Sequence, residues 1–186
     1  MKIYHGTKCT SIQNFEFGHS RVNLDFGEGI YFTTNLAQAM EFSCKNKNHC
    51  GAVYESEIDV SKLKILRLKG QENEDLAYTL YLCRICLEDV AKETIDDFEE
   101  SDIIWGELLD GKIKQFKKIS ELFNCGDVSF DVYAPEVKLY DSSNDQICVK
   151  SLEALAMVNE GLTCKYYTRK KGKRVIVTRQ EELKAR

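Results

Sequence analysis

The sequence predicts a single α+β domain in which strands near both ends of the chain enclose a helix-rich middle. Residues 2–7 and 146–150 have the apolar and β-branched pattern of strands. Apolar residues between positions 72 and 100 instead recur at helical spacing. Strands at the ends and helices between them are typical of an α+β domain and not of a doubly wound fold.

Local signals place the individual elements in order along the chain. The predicted strands are residues 2–7, 30–33, 52–59, 63–68 and 146–150, followed by a hairpin that pairs 164–167 with 174–177, and residues 102–106 are a short strand or a turn. The predicted helices are residues 36–45, 72–100 (as one helix or two), 114–123 and 152–158. Asn35 and Ser151 are expected to cap the first and the last helix, because their side-chain oxygens can accept from the first free N–H groups. Residues 128–132 and 136–140 show no clear preference.

Composition suits one folded domain. The 186 residues include 43% hydrophobic side chains, and a single proline argues against linkers. We assign the motif-bearing part to residues 2–158 and a basic C-terminal extension to residues 159–186.

The net charge of −4 is unevenly distributed. Residues 72–102 are acidic, whereas the C-terminal extension carries the basic cluster Arg169, Lys170, Lys171, Lys173 and Arg174. Such stretches are most often solvated surface, but a basic terminus can also contact phosphates. Nucleic acid therefore stays open as a partner.

The sequence shows no apolar segment long enough for a secretion signal or a membrane span. It therefore predicts a cytoplasmic protein without a membrane partner, whose eight cysteines are thiols. Cys83 and Cys86 have metal-type spacing, and Cys44, His49 and Cys50 could complete a zinc set. Because Cys83 and Cys86 fall on the apolar side of a predicted helix, buried thiols and no metal are favoured.

Two glycine-containing motifs mark the candidate ligand site. The first is Tyr4-His5-Gly6-Thr7 on the first predicted strand, and the second is Gly27-Glu28-Gly29-Ile30-Tyr31-Phe32-Thr33. Glycine allows close approach of a ligand to the backbone because it lacks Cβ. A strand after the glycine turn would hold Tyr31 rigidly beside that space. A histidine on a first strand is often structural, but the second motif favours a functional role for His5.

These motifs resemble those of ADP-ribosyltransferases of the diphtheria-toxin and poly(ADP-ribose) polymerase type. Those enzymes carry a His-Gly on the first strand, a Tyr after a glycine turn, and a second aromatic residue one helix later. Phe42 stands at that last position, eleven residues after Tyr31, where the polymerase-type enzymes have Tyr.

A closer similarity is to an uncharacterised bacterial branch of this superfamily. That branch combines Tyr-His-Gly, Asp-Phe-Gly-x-Gly-aromatic-Tyr, Asp-Ile-(Ile/Val)-x-Gly and Gln-Ile. The matching segments here are Tyr4-His5-Gly6, Asp25-Phe26-Gly27-Glu28-Gly29-Ile30-Tyr31, Asp102-Ile103-Ile104-Trp105-Gly106 and Gln146-Ile147.

The resemblance implies a split antiparallel β-sandwich with inserted helices and with NAD in a cleft between two sheets. It implies that His5 contacts the adenosine-side ribose, that backbone groups of Gly6 hold the carboxamide, and that Tyr31 and Phe42 flank the nicotinamide ring. Thr7, Gly29 and Phe32 complete the implied NAD-binding set.

The family's catalytic Glu falls at Asp145 by alignment on Ile147, whereas the bacterial branch emphasises the next residue, Gln146. Either replacement implies mono-ADP-ribosyl transfer or NAD hydrolysis, because elongation of a polymer needs a base. The acceptor is an unidentified protein or nucleic acid. The resemblance is also compatible with an antitoxin or another regulatory partner. An RNA 2′-phosphotransferase and a catalytically weak NAD or ADP-ribose binder remain alternatives.

Overall fold

The computed structural model describes residues 1–19, 24–44, 50–68, 100–107, 144–170 and 173–178. Apart from residue 100, these ranges exclude the predicted helices at 72–100 and 114–123, the undecided segments at 128–132 and 136–140, and the cysteine pair Cys83 and Cys86. The described ranges contain two four-stranded sheets and two α-helices. The protein is therefore an α+β protein, as the sequence predicts.

The elements follow the predicted order closely. The strands are β1 (Lys2–Thr7), β2 (Ile30–Phe32), β3 (Gly51–Glu57), β4 (Ile65–Arg67), β5 (Ile103–Glu107), β6 (Asp145–Val149), β7 (Thr163–Lys170) and β8 (Lys173–Val177). The helices are α1 (Leu36–Ser43) and α2 (Leu152–Glu160), and a short 3₁₀ turn spans Val60–Lys62. Each predicted strand within the described ranges is present, with ends that differ by at most three residues.

Both helices begin at the predicted caps. The Asn35 side chain accepts hydrogen bonds from the backbone N–H groups of Ala37 and Gln38, and the Ser151 hydroxyl accepts from Ala154 N–H. These contacts satisfy donors that the first turn of a helix leaves without an intrahelical partner. Neither of the two helices is long and apolar enough to cross a membrane.

The first sheet has the order β1-β3-β7-β8 and is antiparallel throughout. β7 pairs with β3 in the register that places Tyr167 opposite Gly51. The predicted hairpin at the C-terminus is confirmed, and it lies within the stretch that the sequence assigns to a basic extension. That stretch therefore supplies two strands of the first sheet.

The second sheet has the order β2-β6-β5-β4, and one of its pairs corrects the prediction of antiparallel sheets. β4 and β5 run parallel, with Ile65 opposite Ile103. A parallel pair needs a crossover connection of a dozen residues or more. The 35 residues between the two strands, 68–102, are enough for such a connection. An alternating strand pattern does not by itself reveal whether two strands run parallel or antiparallel.

The inner faces of the two sheets share one hydrophobic core. Ile3 and Ala52 from the first sheet, Phe32 and Ile147 from the second, and Val158 of α2 are all buried in one cluster. This arrangement is compatible with a β-sandwich. A second, smaller cluster lies between α1 and the opposite face of the first sheet, and its members are Ala39, Cys44, Val53 and Tyr167.

One isolated bridge joins the two sheets at their edges. Tyr4 N–H donates to the Thr33 carbonyl at 2.8 Å, and Thr33 N–H donates to the Tyr4 carbonyl at 2.9 Å. Because only this residue pair is bridged between β1 and the end of β2, the sheets meet there without merging.

Gly6 fixes how closely α1 packs on β1. A Cβ built at Gly6 would lie 1.8 Å from the Ala39 carbonyl oxygen of α1. Real Cβ atoms do not approach backbone atoms so closely, so any side chain here would displace the helix. The glycine of the first motif is thus required by packing.

We predict that Gly6→Ala destabilises the protein by about 2 kcal/mol or more, because overpacking at a backbone contact forces α1 to move. Gly161→Ala is the matched control, since its Cβ would meet Ser56 Oγ at 3.3 Å and the residue has φ of −100°. The control should change the free energy of unfolding by less than about 1 kcal/mol. Urea denaturation measures both, and equal stability of Gly6→Ala and wild type would contradict the packing argument.

Candidate functional site

A cavity of about 820 Å³ is formed by β1, the loop of residues 9–19, β2 and α1. Its volume lies in the upper part of the range of about 300–1,000 Å³ for small-molecule sites. Tyr4 and Thr33, which form the bridge between the sheets, both contribute to its wall. The cavity therefore opens where β1 and β2 separate.

Eight of the nine predicted site residues line this one cavity. They are His5, Gly6, Thr7, Gly29, Tyr31, Phe32, Phe42 and Gln146. Residues 5 and 31, which are 26 positions apart, come together as the two motifs require. The ninth residue, Asp145, is not part of the described lining.

The His5 ring is held in one tautomer by the backbone of β2. His5 Nδ1 lies 2.6 Å from the Tyr31 carbonyl oxygen, and since a carbonyl can only accept, Nδ1 carries the proton. Burial lowers the pKa of His5, and the hydrogen bond to the Tyr31 carbonyl opposes this shift only in part. The neutral ring then has Nε2 as a hydrogen-bond acceptor. Edge contacts with Phe15 and Phe32, at centroid distances of 5.0 and 5.6 Å, fix the ring plane.

The backbone of Gly6 points toward the cavity side of β1. N–H and C=O groups of residues i and i+2 point to the same edge of a strand. Tyr4 uses both groups on Thr33, away from β3, and the register of β1 on β3 is continuous from Lys2 to Thr7. The N–H and C=O of Gly6 therefore face the same edge, just beyond the point where β2 ends its contact with β1.

The Tyr31 phenol anchors the glycine turn that precedes it. Its oxygen accepts from Phe26 N–H and its O–H donates to the Gly27 carbonyl, both at 2.8 Å. Gly27 has φ of +76°, a conformation that favours glycine. Burial is the main cause of a raised pKa of Tyr31, so the phenol stays protonated at neutral pH. With the hydroxyl engaged in the turn, the ring is the part of Tyr31 that can contact a ligand.

Two side chains that sequence reasoning missed hold the loop of residues 9–19 over the cavity. The Tyr54 hydroxyl accepts from Ile12 N–H at 2.9 Å and donates to the Cys9 carbonyl at 3.4 Å. Asn159 of α2 accepts from Phe15 N–H at 2.8 Å and donates to the Phe15 carbonyl at 3.0 Å. No sequence signal indicates these contacts, because they join residues 42 and 144 positions apart.

Asp145 lies in a buried hydrogen-bond network instead of the cavity. Its Oδ1 accepts from Thr33 Oγ1 at 2.6 Å and from Thr34 N–H at 2.8 Å. Its Oδ2 accepts from Thr34 Oγ1 at 2.6 Å and from Trp105 Nε1 at 2.8 Å. The residue is 1% exposed, and the Gln38 side chain bonds to its backbone N–H and C=O. These contacts indicate that Asp145 joins β6 to the β2–α1 corner.

The last predicted residue, Gln146, lines the cavity and contacts Asp25. Gln146 Nε2 lies 2.5 Å from Asp25 Oδ2, and Asp25 is 4% exposed. The neighbouring Phe26 packs over Gly106, where an added Cβ would lie 2.6 Å from the Phe26 ring. Gly106 is the register partner of Gln146 between β5 and β6. The segments that begin at Asp25, Asp102 and Gln146, which carry the resemblance to the bacterial branch, thus meet at this point.

The described lining of the cavity contains no lysine or arginine. Its charged or titratable side chains are His5, Cys9, Glu16, His19, Tyr4 and Tyr31. Glu16 and His19 are exposed and lie 3.9 Å apart. The described wall therefore offers aromatic rings and oriented polar groups to a ligand.

The fold and the site together define a two-sheet α+β protein with a cavity of ligand size between its first two strands. The chain belongs to a family described as "Protein of unknown function (DUF3990)", whose model matches residues 1–159. The match contains every predicted site residue and ends before β7. The chain has no significant match among curated proteins or among solved structures.

We predict that protonation of His5 destabilises the folded state. Because the folded pKa lies below the unfolded value of about 6.5, the stability from His5 is fully present above that pH and falls as the pH decreases toward the folded pKa. The slope is at most about 1.4 kcal/mol per pH unit. Urea unfolding between about pH 5.5 and 7.5 should show a smaller slope for His5→Gln. His19→Gln, at an exposed position, should keep the wild-type slope, and equal slopes for all three proteins would contradict the assignment.

We predict that Asp145→Asn lowers the free energy of unfolding by about 3 kcal/mol. The asparagine NH₂ group replaces one of the two acceptor oxygens, so donors such as the Trp105 N–H lose their acceptor. Asp59→Asn is the control: its exposed side chain caps the 3₁₀ turn by accepting from Ser61 N–H, which an asparagine can also do. Thermal and urea denaturation compare the two variants. A loss below about 1 kcal/mol for Asp145→Asn would contradict the structural role.

Proposed function

We propose that the protein is an NAD-dependent mono-ADP-ribosyltransferase that modifies a protein or a nucleic acid, built on the split β-sandwich of that superfamily. The observation that carries the proposal is the convergence of His5, Gly6, Tyr31 and Phe42 on one cavity of dinucleotide size. These residues come from β1, β2 and α1, so only the folded chain assembles them.

Nicotinamide binding is supported by the groups on the β1 side of the cavity. A carboxamide has one carbonyl acceptor and one NH₂ donor, and the edge-facing N–H and C=O of Gly6 complement both. The Tyr31 ring is fixed by its two hydroxyl contacts, and Phe42 is 41% exposed on α1. Aromatic faces attract a cationic pyridinium ring by about 0.5–2 kcal/mol.

Ribose binding is supported by the tautomer of His5. With Nδ1 donating to the Tyr31 carbonyl, Nε2 can accept a hydrogen bond from a ribose hydroxyl. The lowered pKa keeps this nitrogen unprotonated at neutral pH. His5 is thus suited to bind and orient a sugar.

Transfer of a single ADP-ribose, or hydrolysis of NAD, is favoured by the residues that replace the family's catalytic Glu, which are Asp145 and Gln146. The bond between the anomeric carbon and the pyridinium nitrogen breaks, its electron pair neutralises the nicotinamide, and the acceptor's nucleophilic atom bonds to the anomeric carbon and releases its proton to solvent. Gln146 can orient a hydroxyl but cannot take its proton, and Asp145 is occupied by four hydrogen bonds. A repeated transfer onto ribose hydroxyls, which needs a base, is therefore disfavoured.

A binding module for NAD or ADP-ribose is the second candidate, and the neutral Gln146 in the cavity favours it. The RNA 2′-phosphotransferase alternative requires basic groups around a phosphate, and the described lining supplies none from lysine or arginine.

The first experiment measures NAD binding as a thermal shift and nicotinamide release as a rate. NAD at about a hundred times its dissociation constant should stabilise the protein by about 2.7 kcal/mol. Nicotinamide release above the level of Tyr31→Ala, with a cell lysate as the source of acceptor, supports the transferase. Binding without release supports the module, and no binding contradicts both.

We predict that Phe42→Ala weakens NAD binding by about 2- to 30-fold, the loss of a cation–π contact, without changing the fold. Leu36→Ala is the matched control, because Leu36 is an exposed apolar residue of the same helix that is not part of the described lining. Isothermal titration of both variants measures the effect. Equal affinities would remove Phe42 from the nicotinamide site.

A further inference from the structure

The position of Asp25 is determined by its neighbour in the chain. The Phe26 side chain is fully buried over Gly106, the β5 residue opposite Gln146 in the sheet. Any side chain at position 106 would collide with the Phe26 ring. Phe26 therefore fixes the preceding residue, Asp25, directly beside the Gln146 side chain.

The contact between Asp25 and Gln146 determines which way the amide faces. Oxygen and nitrogen of a glutamine amide exchange places by a half-turn, and only the partner decides between them. A carboxylate has no hydrogen to donate, so the amide atom 2.5 Å from Asp25 Oδ2 is the NH₂ group. The carbonyl oxygen of Gln146 must then face away from Asp25.

Burial separates the roles of the two side chains. Asp25 is 4% exposed and is not part of the described cavity lining, whereas Gln146 is half-buried and lines the cavity. Asp25 is thus placed to influence a ligand through the Gln146 side chain that it contacts. A neutral partner such as asparagine or serine would accept either orientation of the amide, but a carboxylate accepts only one.

We propose that Asp25 is a positioning residue that holds the Gln146 amide with its carbonyl oxygen toward the cavity, so that this part of the site accepts a hydrogen bond from the ligand. The inference rests on the proposed function and deepens it. Together with His5 Nε2, the site then presents two acceptors whose orientations are each fixed by a second partner, the Tyr31 carbonyl for His5 and Asp25 for Gln146. Such a pair selects ligands with hydroxyl or N–H donors, as a ribose or a carboxamide provides.

A double-mutant cycle on NAD affinity tests the proposal. Asp25→Ala and Gln146→Ala should each weaken NAD binding about tenfold, the scale of one hydrogen bond lost in a buried site. Asp25→Ala should add less than about a further twofold loss in the Gln146→Ala background, because it acts through that side chain. Glu28→Ala, which removes an exposed carboxylate from the same loop, should bind NAD as wild type does. Equal losses in both backgrounds would overturn the proposal.

A ligand-free measurement separates this inference from the proposed function. In ¹⁵N-edited spectra of the free protein, one Gln146 Nε2 proton should lie downfield and exchange slowly, and both features should vanish in Asp25→Ala. If wild type binds no NAD but the amide behaves this way, the proposed function fails and the orientation stands. Identical Gln146 amide signals in wild type and Asp25→Ala overturn the orientation, whatever the protein binds.

Asp25→Asn keeps the test decisive where Asp25→Ala fails to fold. The variant preserves size and hydrogen bonding but allows both amide orientations, so NAD affinity should fall and the downfield Gln146 signal should weaken. Adding Gln146→Glu to this variant gives the introduced asparagine amide a carboxylate to donate to, and affinity should recover toward wild type. Unchanged affinity in Asp25→Asn at reduced stability would show that Asp25 is structural only.

Discussion

The backbone bridge between Tyr4 and Thr33 is the constraint on which the rest of the structure depends. Two hydrogen bonds at this point join the edge strands of two otherwise separate sheets. Because pairing stops there, β1 continues to Thr7 while β2 lies in the other sheet, and the space between them becomes the cavity. Thr33 also donates its hydroxyl to Asp145, so one residue ties both sheets to the start of β6.

The glycines of the motifs serve packing as well as access. The sequence interpretation explains Gly6 by the approach of a ligand, but the structure shows that its missing Cβ is required by the Ala39 carbonyl of α1. Gly29 is restricted in the same way, since a Cβ there would meet Cys148 Sγ at 2.4 Å. In a strand the backbone N–H and C=O groups lie in the plane of the sheet, whereas side chains stand perpendicular to that plane. Gly6 can therefore pack its Cα against the helix while its N–H and C=O face the cavity.

Two adjacent residues at the start of β6 have different surroundings because side chains alternate along a strand. Asp145 points into the network of Thr33, Thr34 and Trp105, whereas Gln146 reaches the cavity beside Asp25. Two acidic side chains therefore lie near the site: Asp145 accepts hydrogen bonds from the surrounding structure, and Asp25 accepts from the Gln146 amide. Neither Asp145 nor Asp25 is part of the described cavity lining.

The sequence by itself determined the α+β class, the strands and the two helix caps of the described ranges, because alternation and capping depend on neighbours within a few residues. Eight of the nine predicted site residues line one cavity, since most of them lie in the motifs on β1 and β2. Only the tertiary structure decided that β4 and β5 run parallel, that Asp145 is enclosed, and that Tyr54 and Asn159 hold the loop above the cavity. These features depend on contacts between distant parts of the chain, and such contacts leave no periodic signal in the sequence.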